Sequence, residues 1–210
     1  VTPPRLPRLY AIADAAVLSR HQVEIGAFAE GLHQAGVTLL QWRHKSGSPQ
    51  QILNGAAILR KAFAAPDCTL IMNDRADLCV LANFDGVHVG QGDLPPDAAR
   101  KVIGNKLIGI STHTDAQVRE AALSAADYIA IGPVFSTGTK LDAAPVVGLD
   151  GVRRARALTN RPLVAIGGIT RQNARSVIDA GADSIAVISA LFAPGEPVEK
   201  VARDFLDLLR

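Results

Sequence analysis

The stretch Ile71–Asp93 reads IMNDRADLCVLANFDGVHVGQGD. A short apolar run closes on Asn73-Asp74-Arg75, a helical turn follows through Leu78–Ala82, and a second run, Gly86–Val89, ends in Gly90-Gln91-Gly92-Asp93. Short apolar runs bounded by turn residues read as buried strands. Two carboxylates, Asp74 and Asp93, therefore follow directly on consecutive strands. In a parallel sheet, neighbouring strands emerge at the same edge, so the two acids stand side by side at one rim. That placement suits a hard divalent cation shared with a phosphorylated ligand. Asn73 adds a polar arm, and Gly90 and Gly92 give close access to the backbone. A plainer reading, in which each Asp caps the helix that follows it, stays open from this stretch alone.

Working outward, the same unit recurs. Apolar runs lie at Leu9–Ala13, Val37–Leu40, Thr69–Met72, Gly86–Val89, Leu107–Ile110, Tyr128–Ile131, Pro162–Ile166 and Ser184–Ile188. Segments with helical spacing alternate with them at Val23–Gln34, from Ser48-Pro49 to Ala62, Leu78–Ala82, Pro95–Val102, Ala116–Ala125, Leu149–Leu158, Gln172–Ala180 and Val198–Leu209. Strand–helix units repeating at roughly 25-residue intervals, eight in all and without a linker, predict a closed (β/α)8 TIM barrel of the phosphate-binding type over 1–210, as one domain. A doubly wound open sheet is the competing arrangement, but no nucleotide-binding fingerprint follows the first strand.

Composition narrows the function. No apolar run approaches the ~18 residues that span a bilayer, and no basic segment precedes an apolar one, so neither a membrane partner nor a secretory signal is expected. Cys68 and Cys79 form neither a disulfide framework nor a zinc pattern; as reduced core residues they are compatible with a cytoplasmic location. A net charge of +2 gives no footprint for nucleic acid. Self-association is neither required nor excluded, so a homo-oligomer stays open.

The polar clusters each follow a strand: Gln41/Arg43/Lys45, Asn73/Asp74, Asp93, Ser111, Thr137/Thr139/Lys140, Gly167/Gly168 and Ser189. In a barrel all of these lie on the C-terminal rim, where barrel enzymes keep their active sites. Gln41, Arg43 and Lys45 alternate and so share one face of an extended chain, whereas Trp42 and His44 point to the other. Ser136-Thr137-Gly138-Thr139-Lys140 offers hydroxyls and a cation for a phosphate without P-loop spacing. Gly167-Gly168 and Ser189 follow the seventh and eighth strands, where barrels often hold a phosphate. His88 reads as a satisfied core histidine, Tyr128 and Phe135 as core or pocket wall, and Ser111 with His113 lacks an acid partner for a triad.

Seven motifs, taken together, resemble the thiamine-phosphate synthase family. They are Gln-x-Arg-x-Lys at 41–45, Asn-Asp-Arg at 73–75, Gly-Val-His-Val-Gly-Gln-x-Asp at 86–93, Ser-Thr-His at 111–113, Gly-Pro-Val-Phe-x-Thr-x-Thr-Lys at 132–140, Ala-Ile-Gly-Gly-Ile at 165–169 and Ala-Val-Ile-Ser at 186–189. The resemblance implies a transferase that joins 4-amino-2-methyl-5-pyrimidinylmethyl diphosphate to 4-methyl-5-(2-phosphoethyl)thiazole and releases diphosphate. It implies that Gln41, Trp42, Arg43, His44, Lys45, Asn73, Ser111 and Lys140 hold the pyrimidine diphosphate. Arg43, Lys45, Ser111 and Lys140 would be catalytic. Asp74 and Asp93 would hold Mg2+, the one cofactor implied. Thr137, Gly138, Thr139, Gly168, Ile188 and Ser189 would hold the thiazole phosphate. The 136–147 loop is a candidate lid.

The chain departs from the family at His44, where Glu is usual. A related thiazole tautomerase carries a catalytic His where this chain has Pro133, which argues against tautomerase activity. A non-catalytic phosphate-ligand binder is the third reading, and it gives no reason to keep Asp74, Asp93 and Lys140 together.

Overall fold

The structure, a computed structural model, describes residues 6–63, 68–138 and 145–210. Its strands are β1 (Leu9–Asp14), β2 (Leu39–Arg43), β3 (Thr69–Asn73), β4 (Gly86–Val89), β5 (Leu107–Thr112), β6 (Tyr128–Ile131), β7 (Leu163–Ile166) and β8 (Ser184–Val187). They pair in parallel in chain order, and β1 pairs with β8 to close the barrel. The helices are α1 (Ala15–Arg20), α2 (Ile25–Ala35), α3 (Pro49–Ala62), α4 (Ala76–Leu81), α5 (Pro96–Ile103), α6 (Asp115–Leu123), α7 (Gly148–Leu158), α8 (Ala174–Asp179) and α9 (Val198–Leu208), with a 3-10 turn at Ser189–Leu191. None of the described helices is long and apolar enough to cross a membrane.

The expected (β/α)8 barrel is thus present, with one helix more than the periodicity predicts. The sequence reading places nothing between Asp14 and Val23. There the Asp14 carboxylate accepts the Val17 amide at 3.0 Å and caps the six-residue α1. Six residues are too few for periodicity to register, whereas the cap alone suffices to start a turn. α3 begins as its sequence predicts: Ser48 and Gln51 exchange side-chain and backbone hydrogen bonds, and Pro49 occupies the first turn.

Strand alternation builds two cores. One set of strand residues, including Leu40, Trp42, Leu70, Met72, Val87 and Ile108, packs outward against the helices. The other set, Tyr10, Ile12, Leu39, Ile71, Tyr128, Ala130, Val164 and Ala186, fills the barrel. His88, Gly109 and Tyr128 stand in register on β4, β5 and β6. A Cβ at Gly109 would overlap the Tyr128 ring. Glycine therefore opens the space through which His88 and Tyr128 meet across β5.

The N-terminal rim carries a repeated clamp. Asp85, Asp127 and Asp183, each just ahead of an even-numbered strand, accept the amides of Leu70, Ile108 and Leu163, all at 2.8 Å. Each also pairs with an arginine from the last helix but one, α3, α5 or α7: Arg60 at 3.2 Å, Arg100 at 2.6 Å and Arg156 at 2.8 Å.

Candidate active site

The strand ends aim their inward residues into a cleft at the C-terminal rim. The cleft has two lobes. The first, of about 320 Å³, is lined by Tyr10, Gln41, Arg43, Lys45, Asn73, Asp74, His88, Asp93 and the Gly90–Gly92 turn. The second, of about 380 Å³, is lined by Gly132, Pro133, Thr137, Gly167, Gly168, Thr170 and Ser189. Ser111, His113, Ala130, Ile166, Ala186 and Ile188 line both. The lobes adjoin along a common, largely apolar wall.

In the first lobe the charges are paired by design of the strand ends. Arg43 forms an ion pair with Asp14, the same carboxylate that caps α1. Lys45 forms one with Asp74. Asp74 has φ of 61°, a left-handed conformation that Asp tolerates better than most residues. Its amide donates to the His88 carbonyl at 2.7 Å, which anchors this turn to β4. Asp93 accepts the Gly90 amide at 2.7 Å.

The two carboxylates interact, and their proton affinities are driven apart. Burial pushes the Asp74 carboxyl up, Lys45 opposes that, and neighbouring Asp93 adds to it. Burial works against the Asp93 charge as well, but hydrogen bonds from Asp74 and the Gly90 amide, with Lys45 close by, outweigh it and hold Asp93 below the usual range. Among the described residues Lys45 is the cation that ion-pairs at these two neighbouring carboxylates, through Asp74. A hard divalent cation held by one or two carboxylates and a substrate's phosphates fits that donor set. Among the described residues no cluster of three His, Cys, Asp or Glu could replace it.

The floor of this lobe is a chain of buried polar groups. The Gln41 amide donates to the Tyr10 hydroxyl at 2.8 Å, Tyr10 meets Tyr128 at 2.9 Å, Tyr128 meets His88 Nδ1 at 3.0 Å, and His88 Nε2 meets Ser111 Oγ at 2.8 Å. His88 is a satisfied histidine, as its sequence position predicts, but its partners tie it to the cleft. Ser111 lies two residues beyond Gly109, the register partner of His88 on β5, and the tyrosine partner stands on β6, reached over Gly109. His113 Nδ1 donates to the Gly132 carbonyl at 2.6 Å, which fixes the ring along the shared wall.

The second lobe is shaped by glycine. Gly167 and Gly168 have φ of 103° and 64°. A Cβ on Gly168 would sit 2.5 Å from the Ser136 carbonyl oxygen, so no other residue fits the turn unchanged. Thr137, Ile188 and Ser189 line this lobe as expected. Gly138 is exposed and stands outside its wall. Thr139 and Lys140, and with them most of the candidate lid, lie outside the described residues.

Two expected ligand contacts are corrected. The Trp42 indole is buried on the outer face of β2, where Nε1 donates to the Ile52 carbonyl at 2.9 Å and the ring covers Gly55. His44 stacks edge-on against Trp42, with ring centroids 5.8 Å apart, and lies over Gly47. Both follow from strand alternation, which turns 42 and 44 away while it turns 41, 43 and 45 inward.

A closed (β/α)8 barrel with a two-lobed polar cleft at its C-terminal rim defines a barrel enzyme. The sequence model of the family described as thiamine monophosphate synthase matches residues 9–191. A thiamine-phosphate synthase of Koribacter versatilis is 51% identical over 208 residues, covering 98% of this chain and 97% of its own. One of Chloroflexus aurantiacus is 44% identical over 205 residues, covering 96% and 92%. Among solved structures, thiamine phosphate pyrophosphorylase from Pyrococcus furiosus superposes with a TM-score of 0.85 at 34% identity, covering 96% of this chain and 95% of that one. The chain belongs to the thiamine monophosphate synthase family, and its activity is thiamine-phosphate synthesis, a transferase reaction on small-molecule substrates.

Proposed function

We propose that the first lobe takes 4-amino-2-methyl-5-pyrimidinylmethyl diphosphate, that the second takes 4-methyl-5-(2-phosphoethyl)thiazole, and that they join along the shared wall. The observation that carries this division is the contrast between lobes with one common boundary. The first collects Arg43, Lys45 and two acids around amides suited to a ring. The second collects glycine backbone and hydroxyls suited to a monophosphate.

The bond between the pyrimidinylmethyl carbon and the diphosphate oxygen breaks first, and its electron pair leaves with diphosphate. The ring amino group stabilises the resulting cation. The thiazole nitrogen then gives its lone pair to that carbon, forming the C–N bond. No protein nucleophile is consumed, in keeping with a site that has no nucleophile–base–acid triad among its described residues. Arg43, Lys45 and Lys140 offset charge that grows on the leaving group. Mg2+ held by Asp74 and Asp93 would neutralise the diphosphate further. The apolar wall of Ala130, Ile166, Ala186 and Ile188 keeps water from capturing the cation. Pro133, on the wall of the second lobe, supplies no imidazole for an isomerisation of the thiazole.

The test measures diphosphate release and thiamine phosphate formation with both substrates, with and without EDTA. Release that needs the thiazole phosphate and stops with EDTA supports the reading. Turnover that is indifferent to EDTA removes the metal assignment, and binding of the thiazole phosphate without any product removes the mechanism.

A further inference from the structure

We infer that Tyr10, Tyr128 and His88 form a one-way hydrogen-bond relay that couples the Gln41 amide to the Ser111 hydroxyl, so that the two ends can only be donor or acceptor in step. The inference rests on proton counting. Tyr10 and Tyr128 are 1% and 0% exposed, so neither hydroxyl has solvent as an alternative partner. Burial pushes both hydroxyls above their usual proton affinity, so each keeps one proton and no more.

Each tyrosine oxygen has two neighbours in the chain and one hydrogen to give. Tyr10 accepts from Gln41 Nε2, so it must donate to Tyr128. Tyr128 has then accepted and must donate to His88 Nδ1. A neutral imidazole that accepts at Nδ1 carries its proton at Nε2, which donates to Ser111 Oγ. Left over at the ends are the Gln41 Oε1 acceptor, the second hydrogen of Gln41 Nε2 and the Ser111 hydroxyl hydrogen. Reversing any one bond reverses all four. A flipped Gln41 amide would accept from Tyr10 and present a donor, and Ser111 would become an acceptor. No step changes the net charge.

Gly109 makes the relay possible. It stands in register between His88 and Tyr128, and any side chain there would displace the Tyr128 ring from its contact. Tyr10, Tyr128 and His88 are therefore positioning residues. They hold the site in the polarity that greets an amino group at Gln41 and penalise an oxo group in its place. This recognition half rests on the lobe assignment above; the tautomer half does not.

The test reads the His88 tautomer by two-bond 15N–1H correlation in the ligand-free protein at pH 8, with His88→Gln to identify the signals. The wild type should show the proton on Nε2. Gln41→Glu places an acceptor where the donor was, and should move the His88 proton to Nδ1 without touching His88. In Gln41→Glu combined with Tyr10→Phe, the relay is cut and that move should vanish. A wild-type proton on Nδ1, or a Gln41→Glu spectrum identical to wild type, overturns the relay. For recognition, Tyr128→Phe should narrow the preference for the 4-amino over the 4-oxo pyrimidine diphosphate, in kcat/KM, by at least tenfold. A preference kept within twofold overturns that role. Formation of thiamine phosphate by the wild type is scored in the same assay, so failure of the lobe assignment is seen separately.

Discussion

The two rims of the barrel use the same residue types to opposite ends. At the N-terminal rim, Asp85, Asp127 and Asp183 each have one arginine and one backbone amide of their own. Each of these three carboxylates is answered locally, and the same clamp is used three times. At the C-terminal rim, Asp74 and Asp93 face each other, Lys45 answers only one of them directly, and Asp74 sits in a left-handed turn. One rim has settled its electrostatics within the protein. Among the described residues the other leaves Asp93 without an ion pair of its own. The difference separates residues that hold the fold from residues that do the work, and it does so without reference to any relative.

If that separation is sound, substitutions at the two rims split between activity and stability. The largest effect is expected for Asp93→Ala, which should lower kcat by about 10²–10³-fold, the range for losing a main electrostatic element of the transition state. Its melting temperature should change little, because relief of the carboxylate pair offsets loss of the Gly90 hydrogen bond. Calorimetry of thiazole phosphate binding should stay close to wild type; a lost thiazole site would place Asp93 in the fold instead.

Gly168→Ala comes next. A side chain 2.5 Å from the Ser136 carbonyl in a left-handed turn must distort the second lobe. KM for the thiazole phosphate should rise by about tenfold or more, the scale of a contact worth 1–3 kcal/mol. Steady-state kinetics should find KM for the pyrimidine diphosphate little changed, and an equal rise in both would merge the lobes.

At the opposite rim, Asp127→Ala should cost about 1–2 kcal/mol, since it removes a partly exposed ion pair and one backbone hydrogen bond. That corresponds to roughly 2–8 °C in melting temperature for a chain of this size. Turnover at 25 °C should stay within twofold. A variant that melts normally but turns over poorly would erase the distinction between the rims.

The smallest effect concerns Cys79, beneath the Asp85 clamp. Burial pushes its thiol up to about 11, and its Sγ lies 3.2 Å from the Gly86 carbonyl. A raised thiol stays protonated below that value, so a disulfide reagent at pH 8 should not label native Cys79, while both cysteines react in denaturant. Rapid native labelling would show that this rim opens more readily than its clamps imply.

Most of the rim was legible in the sequence because strand ends and alternation are local properties. Gln41 and Arg43 are inward and Trp42 is outward for the same reason, and all three directions follow from one strand. Motif and geometry part company at Trp42 and His44, which a motif spanning 41–45 includes and alternation turns away. What stayed hidden depends on closure. Tyr10 and Tyr128 are 118 residues apart and meet only because β1 and β6 face each other across the barrel. The pairing of Arg43 with Asp14 is equally non-local, since it joins the ends of β1 and β2. Gly109 reads as a weak point in a strand until its neighbours are known.

The wall shared by the two lobes has a use in inhibitor design. Because Ala130, Ile166, Ala186 and Ile188 border both lobes, a single molecule built to cross that shared wall would carry an anionic group at each end. Joining the two halves makes the second binding event intramolecular, so a linked compound should outbind an equimolar mixture of its fragments by far more than either fragment's own affinity suggests. The stiffness of the linker, rather than any added contact, would then govern potency.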